Sequence, residues 1–195
     1  MGQYYNAVLK DKNGQFRSYY GDGVKLMEHS YFGNRFVNYI CKEILNNPTQ
    51  IAWVGDYAEN KDYKENLHQF IENRVEKEMF AELDNNFNTL GLTLVNHTKK
   101  VYIRMTYYYN LNVKNNEYFD DWVIHPLPLL TAMGNGLGGG DYEGINMNLV
   151  GCWAGDLIEI IDLSKLYREN YQEYTNFTKS YKDVSNTGVL FKERV

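Results

Sequence analysis

The chain has little of what ordinarily anchors a small protein or marks its chemistry. Cysteine occurs only at Cys41 and Cys152, too few for a disulfide framework or a zinc cluster. Cys41 falls in an apolar helical pattern and Cys152 in the strand-like LVGCWAG, so both read as buried thiols. Proline occurs only three times. No apolar run approaches the length a bilayer demands, and basic residues are outnumbered, with a formal charge of -5. That balance disfavours broad attraction to nucleic-acid phosphates, which needs a basic patch; Lys99, Lys100 and Arg104 are the one local candidate.

The opening MGQYYNAVLKDKNG has no basic segment followed by an apolar one, so a secretory signal is not expected. Asn6 stands where a myristoylation signal wants Ser or Thr. The expectation is a cytoplasmic, non-membrane protein folding as one globular domain over 1–195, long enough to bury a core without staples. Recognised catalytic signatures are also missing: there is no G-x-S-x-G, no Gly-Lys-Ser/Thr, and no H-E-x-x-H or H-x-x-x-H.

Tyrosine and glycine, by contrast, are abundant, with 18 and 16 residues. Tyrosine suits sheet faces and binding surfaces alike, and Tyr107, Tyr108 and Tyr109 are candidates for a stacking surface. Eight of the glycines and two of the prolines fall between His125 and Asp162. Gly134, Gly136 and Gly139 match G-x-G-x-x-G, but Pro126 and Pro128 spoil a preceding strand. Ile145, Met147 and Leu149 alternate at strand period, so no helix follows to receive a dinucleotide phosphate. The run instead reads either as a ligand-binding loop, with bare amides and the acids Asp141 and Glu143 around a bound group, or as a long surface crossing.

In chain order, Asn13-Gly14 signals a hairpin between residues 3–9 and 15–20. Asn34 caps a helix carrying Phe36, Val37, Ile40, Cys41, Ile44 and Leu45, which ends at Asn46-Asn47-Pro48. Gln50 to Val54 is a strand, and Asp62 to Asp84 a long helix with the stripe Leu67, Phe70, Ile71, Val75, Met79, Phe80, Leu83. Two strands surround Asn96-His97-Thr98-Lys99, followed by a polar, aromatic loop or hairpin tip from Tyr107 to Trp122. Ile145 to Trp153 and Leu157 to Ile161 read as paired strands, Leu163 to Tyr174 as a helix, and Val189 to Phe191 as an edge strand. Hairpins without βαβ alternation imply an α+β fold: a mainly antiparallel sheet with two to three helices packed on one face.

The echoes IAWVGDYAE and GCWAGDLIE place Trp53 and Trp153 in apolar runs, expected to be buried in one sheet. They also place Asp56 and Asp156 at strand ends. Sharing one rim with Asp141, these acids would suit a cation or acid–base work; the plainer alternative is a pair of Asx turns. His68 reads as solvated and His97 as a turn residue. His29 and His125 each end an apolar segment and would serve a metal or general-base site if they converged with Glu28 or Asp141.

The segments KLMEHSYFGN, IAWVGDYAE, LVNHTKKVYI, HPLPLLTAMGNGLGGGDYEG and VGCWAGD resemble a group of small uncharacterised proteins of bacteria and their phages. The resemblance implies no activity and transfers no site residue. It does imply a mobile-element setting, in which small acidic proteins bind a host protein or sequester a small molecule.

The functional expectation is a non-catalytic binding protein. It would sequester a nucleotide-like or other anionic ligand, or act as an anti-defence inhibitor of a host protein, through Gly138, Gly139, Gly140, Asp141, Tyr142, His125, His29, Asp56 and Asp156. No cofactor and no metal is expected. The alternative is a metal-assisted or acid–base hydrolase using His29, His125 and the strand-end aspartates.

Overall fold

The computed structural model describes residues 2–21, 24–59, 67–74, 76–79, 87–114, 123–143, 147–166 and 170–173. The chain opens with strands β1 (Tyr5–Lys10) and β2 (Phe16–Tyr20), paired antiparallel. Their turn is built as the Asn-Gly signal demands. Gly14 takes a φ of 83°, and Asp11 Oδ1 accepts from the amides of Asn13 and Gln15. A short helix α1 (Leu26–His29) precedes α2 (Arg35–Glu43), where Asn34 Oδ1 accepts from the Val37 amide and caps the helix. Strand β3 (Thr49–Gly55) pairs antiparallel with β1 and occupies the middle of the molecule.

Among the described residues the sheet runs β4-β2-β1-β3-β8-β5-β6-β9, with β7 (Ala132–Met133) beside the C-terminal half of β3. Here β4 is Glu76–Met79, β5 Thr93–Asn96, β6 Val101–Arg104, β8 Leu157–Ile161 and β9 Gln172–Glu173. The pairings of β1 with β2 and β3, of β3 with β8, and of β5 with β6 and β8 are antiparallel; the short strands β4, β7 and β9 add on parallel. The fold is thus α+β with a mostly antiparallel sheet.

Strand alternation sorts the core. Tyr5, Ala7 and Leu9 of β1 with Ile51 and Trp53 of β3 face the larger core. It is closed by Phe36, Val37, Ile40 and Cys41 of α2, by Met105 and Tyr108 of α4 (Met105–Lys114), and by Leu127, Leu129 and Leu130 of α5 (Pro126–Thr131). Val8 and Val54 point the other way and meet Leu67, Phe70 and Ile71 of α3 (Leu67–Arg74). His68 on α3 is not free in solvent, since its Nε2 lies 3.2 Å from Asn6 Nδ2.

Four local expectations give way to tertiary contacts. The long helix is α3 alone as far as it is described; residues 76–79 instead pair with the outer edge of β2, while 62–66, Val75 and 80–84 lie outside the described residues. The segment after β6 is helix α4 as far as Lys114, because Met105 and Tyr108, three apart, both enter the core, while 115–122 lie outside the described residues. Of the expected strand ending at Trp153, residues 145–146 lie outside the description, and Met147–Leu149 form a 3-10 turn. The Gly151 and Trp153 amides then donate to the Leu129 and Leu130 carbonyls, which α5 leaves unpaired at its end. Trp53 and Trp153 are both fully buried, but only Trp53 lies in a strand. Beyond Ile161, Leu163, Leu166 and Tyr171 pack on Val95, Tyr102 and Ile161 from a 3-10 turn (Leu163–Lys165) and an extended segment, not from one helix. The expected strand at Val189 to Phe191 lies outside the described residues.

Candidate functional site

The prolines before the glycine run start a helix. Pro126 sits at its first turn, where no amide partner is needed, and His125 is the N-cap, with Nδ1 accepting from the Leu127 amide at 3.1 Å. Every residue of α5 is buried, so the helix delivers Met133 and the glycine loop to the C-terminal end of β3.

The loop is organised inward, around Asp141. Asp141 Oδ2 accepts from the amides of Gly136 (2.7 Å), Leu137 (3.0 Å) and Gly138 (3.0 Å), and Oδ1 accepts from the Tyr5 hydroxyl at 2.7 Å. Successive amides turned to one point form a nest suited to an anion, and here the anion is the chain's own carboxylate. Burial, reinforced by Asp141, holds the Tyr5 phenol well above its ordinary range, so it stays a donor. The Asn135 side chain closes the loop's base, accepting from the Tyr142 amide and donating to its carbonyl. Gly139 O accepts from the Gln3 amide and Gly140 O from the Met27 amide, fastening the loop to the N-terminal segment and α1.

Two demands account for the glycines. Gly134, Gly136 and Gly140 have φ of 93°, 92° and 84°, which a Cβ disfavours. Gly55, Gly134 and Gly138 form a socket for the fully buried Gln3, whose Nε2 would lie 1.9 Å from a Cβ at position 55. Neither polar atom of the Gln3 side-chain amide has a hydrogen-bond partner among the described residues. Alanine is poorly accommodated at two of the three consecutive glycines: a Cβ at 138 would lie 2.6 Å from Gln3 Cβ, and at 140 2.5 Å from Lys25 Cδ.

The remaining candidates divide between places. Asp56 shares the loop's end of the sheet, where Oδ1 accepts from the Tyr4 amide and its own amide donates to the Tyr4 carbonyl. Asp156 lies at the other end of β3, where its carbonyl accepts from the Ile51 amide. Five residues of strand separate the two positions by roughly 17 Å, so they share no rim. Asp156 instead binds Asn96 Nδ2 at 2.8 Å and Lys99 Nζ at 3.2 Å.

His29 and His125 are neighbours along the backbone, since the His125 amide donates to the Ser30 carbonyl. Their side chains nevertheless serve different contacts. His29 Nδ1 accepts from the Lys25 amide. His125 is sealed against Phe32, with Nε2 3.3 Å from Thr89 Oγ1 and 3.8 Å from Cys41 Sγ. Burial lowers the His125 pKa to about 3 and raises that of Cys41, so the pair is neutral and shielded from substrate. Cys152 is likewise pushed up, to about 12, first by burial. Among the described residues no group of three His, Cys, Asp or Glu side chains could hold a metal ion, and no helix is long and apolar enough to cross a membrane.

The tyrosine and basic candidates are also engaged. Tyr108 is buried, Tyr109 meets Phe32 edge-on at 5.2 Å, and Arg104 lies over Tyr107. Lys99 pairs with Asp156 and Arg104 with Glu173.

Two features were not anticipated from sequence. Leu137 (52%) and Tyr4 (45%) are large apolar residues left exposed beside the glycine loop, although their backbones are fixed through Asp141 and Asp56. His97 bridges Glu159 and Tyr171, each at 2.8 Å. The available signals were an apolar residue within a glycine run and one acid inside the apolar strand LIEII. Comparison with known protein families, with characterised proteins and with solved structures finds no match.

Proposed function

We propose that the protein is a non-catalytic binding protein whose contact face is the glycine-loop end of the sheet, and that its partner is another protein. The observation that carries this reading is the exposure of Leu137 on a backbone held by Asp141. A large apolar side chain on a preordered loop loses little entropy on docking, which is what an interface anchor requires. Tyr4 adds a second anchor, since the Gln3 amide donates to Gly139 O and Gly2 bridges to Gly139. Exposed Glu28, Glu59 and Glu143 on the adjoining segments outnumber Lys25, itself paired to Glu28 at 2.9 Å. The complementary surface is therefore an apolar pocket with a basic rim.

The same geometry weakens the small-anion reading, because the amides that would meet a phosphate already bind Asp141. It also weakens hydrolysis through His29 and His125, whose side chains are spent on an amide and on a helix cap. The partner we propose is a host-cell protein, as an anti-defence target would be, in keeping with the mobile-element setting expected from the sequence.

A photoreactive phenylalanine analogue at position 137 should crosslink one host protein, whereas the same group at Phe16, exposed at 49% but level with Gln50 at the other end of β3, should not. With that protein purified, Leu137→Ala should weaken binding about tenfold or more, as loss of an anchor worth about 1.4 kcal/mol or more requires. Equal crosslinking from both positions, or unchanged affinity in a folded Leu137→Ala protein, would refute the assignment.

A further inference from the structure

A second arrangement with chemical meaning lies where the β5–β6 turn meets β8 and the segment before β9. His97 Nε2 is 2.8 Å from Glu159 Oε2, and Nδ1 is 2.8 Å from the Tyr171 hydroxyl oxygen. A carboxylate only accepts, so Nε2 carries the proton. In the neutral imidazole Nδ1 is then the acceptor, and the Tyr171 hydroxyl donates to it. Carboxylate, imidazole and hydroxyl thus stand in series, the order in which an oriented base activates an oxygen nucleophile. Unlike the sealed Cys41–His125 pair, these groups reach the surface: the His97 and Glu159 side chains are 18% and 13% exposed, and Tyr171 is partly exposed. Lys100 is exposed with its ammonium over the Tyr171 ring at 5.2 Å, while Lys99 is tied to Asp156.

The geometry points to Tyr171 as an acyl-acceptor site, activated by His97 and Glu159, for carboxylic esters carrying a negative charge that Lys100 attracts. Tyr171 Oη bonds to the acyl carbon as the phenolic proton passes to His97 Nδ1. The bond from that carbon to the ester oxygen breaks, its electron pair leaving with the oxygen, and the imidazolium returns the proton to that group or to solvent. Glu159 stabilises the imidazolium formed in between. The products are a Tyr171 ester and a free alcohol or phenol, with no change of oxidation state. This is stoichiometric modification at a place apart from the glycine-loop face, and it does not depend on the partner assigned there.

The test exposes the full-length protein to 4-nitrophenyl acetate, which is neutral, and to the 4-nitrophenyl monoester of succinic acid, which is anionic. Peptide mass spectrometry then follows acylation at Tyr171 and at Tyr4. Accessibility alone favours Tyr4, which is 45% exposed. With general-base assistance Tyr171 should react about 100-fold faster than Tyr4, falling to the Tyr4 rate in His97→Gln and about tenfold in Glu159→Gln. Lys100→Ala should slow the anionic ester more than the neutral one. A Tyr171 rate in the unaltered protein no greater than that of Tyr4 overturns the proposal without recourse to any variant. An unchanged rate in His97→Gln with native circular dichroism does so as well, and an unchanged preference for the anionic ester in Lys100→Ala overturns the choice of substrate.

Discussion

Removing the Asp141 carboxylate should dismantle the glycine loop while leaving the sheet folded. Asp141 is 4% exposed, and its carboxylate accepts four hydrogen bonds, three from the amides of Gly136, Leu137 and Gly138 and one from the Tyr5 hydroxyl. Bonds to a charged group contribute about 1.5–3 kcal/mol each, which gives an upper limit of roughly 6–12 kcal/mol for Asp141→Ala. Gly136 and Leu137 lie at the surface, so their amides regain water in the variant, whereas the Tyr5 hydroxyl is buried and cannot. The expected loss is therefore about 3–5 kcal/mol. Asp141→Asn is a graded control. Its amide can turn oxygen toward the three amides and nitrogen toward the Tyr5 oxygen, keeping four contacts without the charge, at a cost of about 1–2 kcal/mol. Urea denaturation measures both values, and hydrogen exchange at residues 136–138 locates the effect. A cost below about 1 kcal/mol for Asp141→Ala, or exchange protection at 136–138 that survives it, would refute the nest as the organiser of the loop.

Three further outcomes follow from His125, Gln3 and the loop glycines. His125 has its folded pKa depressed to about 3 from 6.5, so the unfolded chain binds the extra proton first. Its stabilising contribution is complete above pH 6.5 and is lost as pH falls toward 3. Between pH 6.5 and 4.5 the protein should lose about 2–3 kcal/mol more than His125→Asn, which retains a capping oxygen; parallel slopes in urea titrations would contradict this. Gln3→Met should raise stability by about 1–3 kcal/mol, since a thioether of similar shape replaces a side-chain amide buried without partners among the described residues; a lower urea midpoint would count against it. Gly136→Ala meets nothing within 4 Å and should cost about 1 kcal/mol for its positive φ. Gly134→Ala also meets the Ala58 backbone at 2.9 Å and should cost roughly 3 kcal/mol; equal costs in thermal unfolding would be inconsistent with the socket.

By itself the sequence determined the elements whose signals are local. Asn13-Gly14 sets the first hairpin, Asn34 caps α2, the apolar run ending at Val54 becomes β3, and Asn96 to Lys99 turns β5 into β6. Each rests on backbone preferences or short-range hydrogen bonds that a few residues satisfy among themselves. Tertiary structure decided whatever depended on a distant partner. Residues 76–79 pair with an open edge of β2 despite a helical stripe, and Leu163, Leu166 and Tyr171 reach one apolar surface without one helix between them. The site followed the same division. That the glycine run mattered was legible from its composition. That its amides close on Asp141, that three glycines make room for Gln3 132 residues before Asn135 in the same loop, and that His97 finds Glu159 across the sheet were not legible. Those contacts are fixed by strand register and by the packing of α5, neither of which leaves a trace within a sequence window.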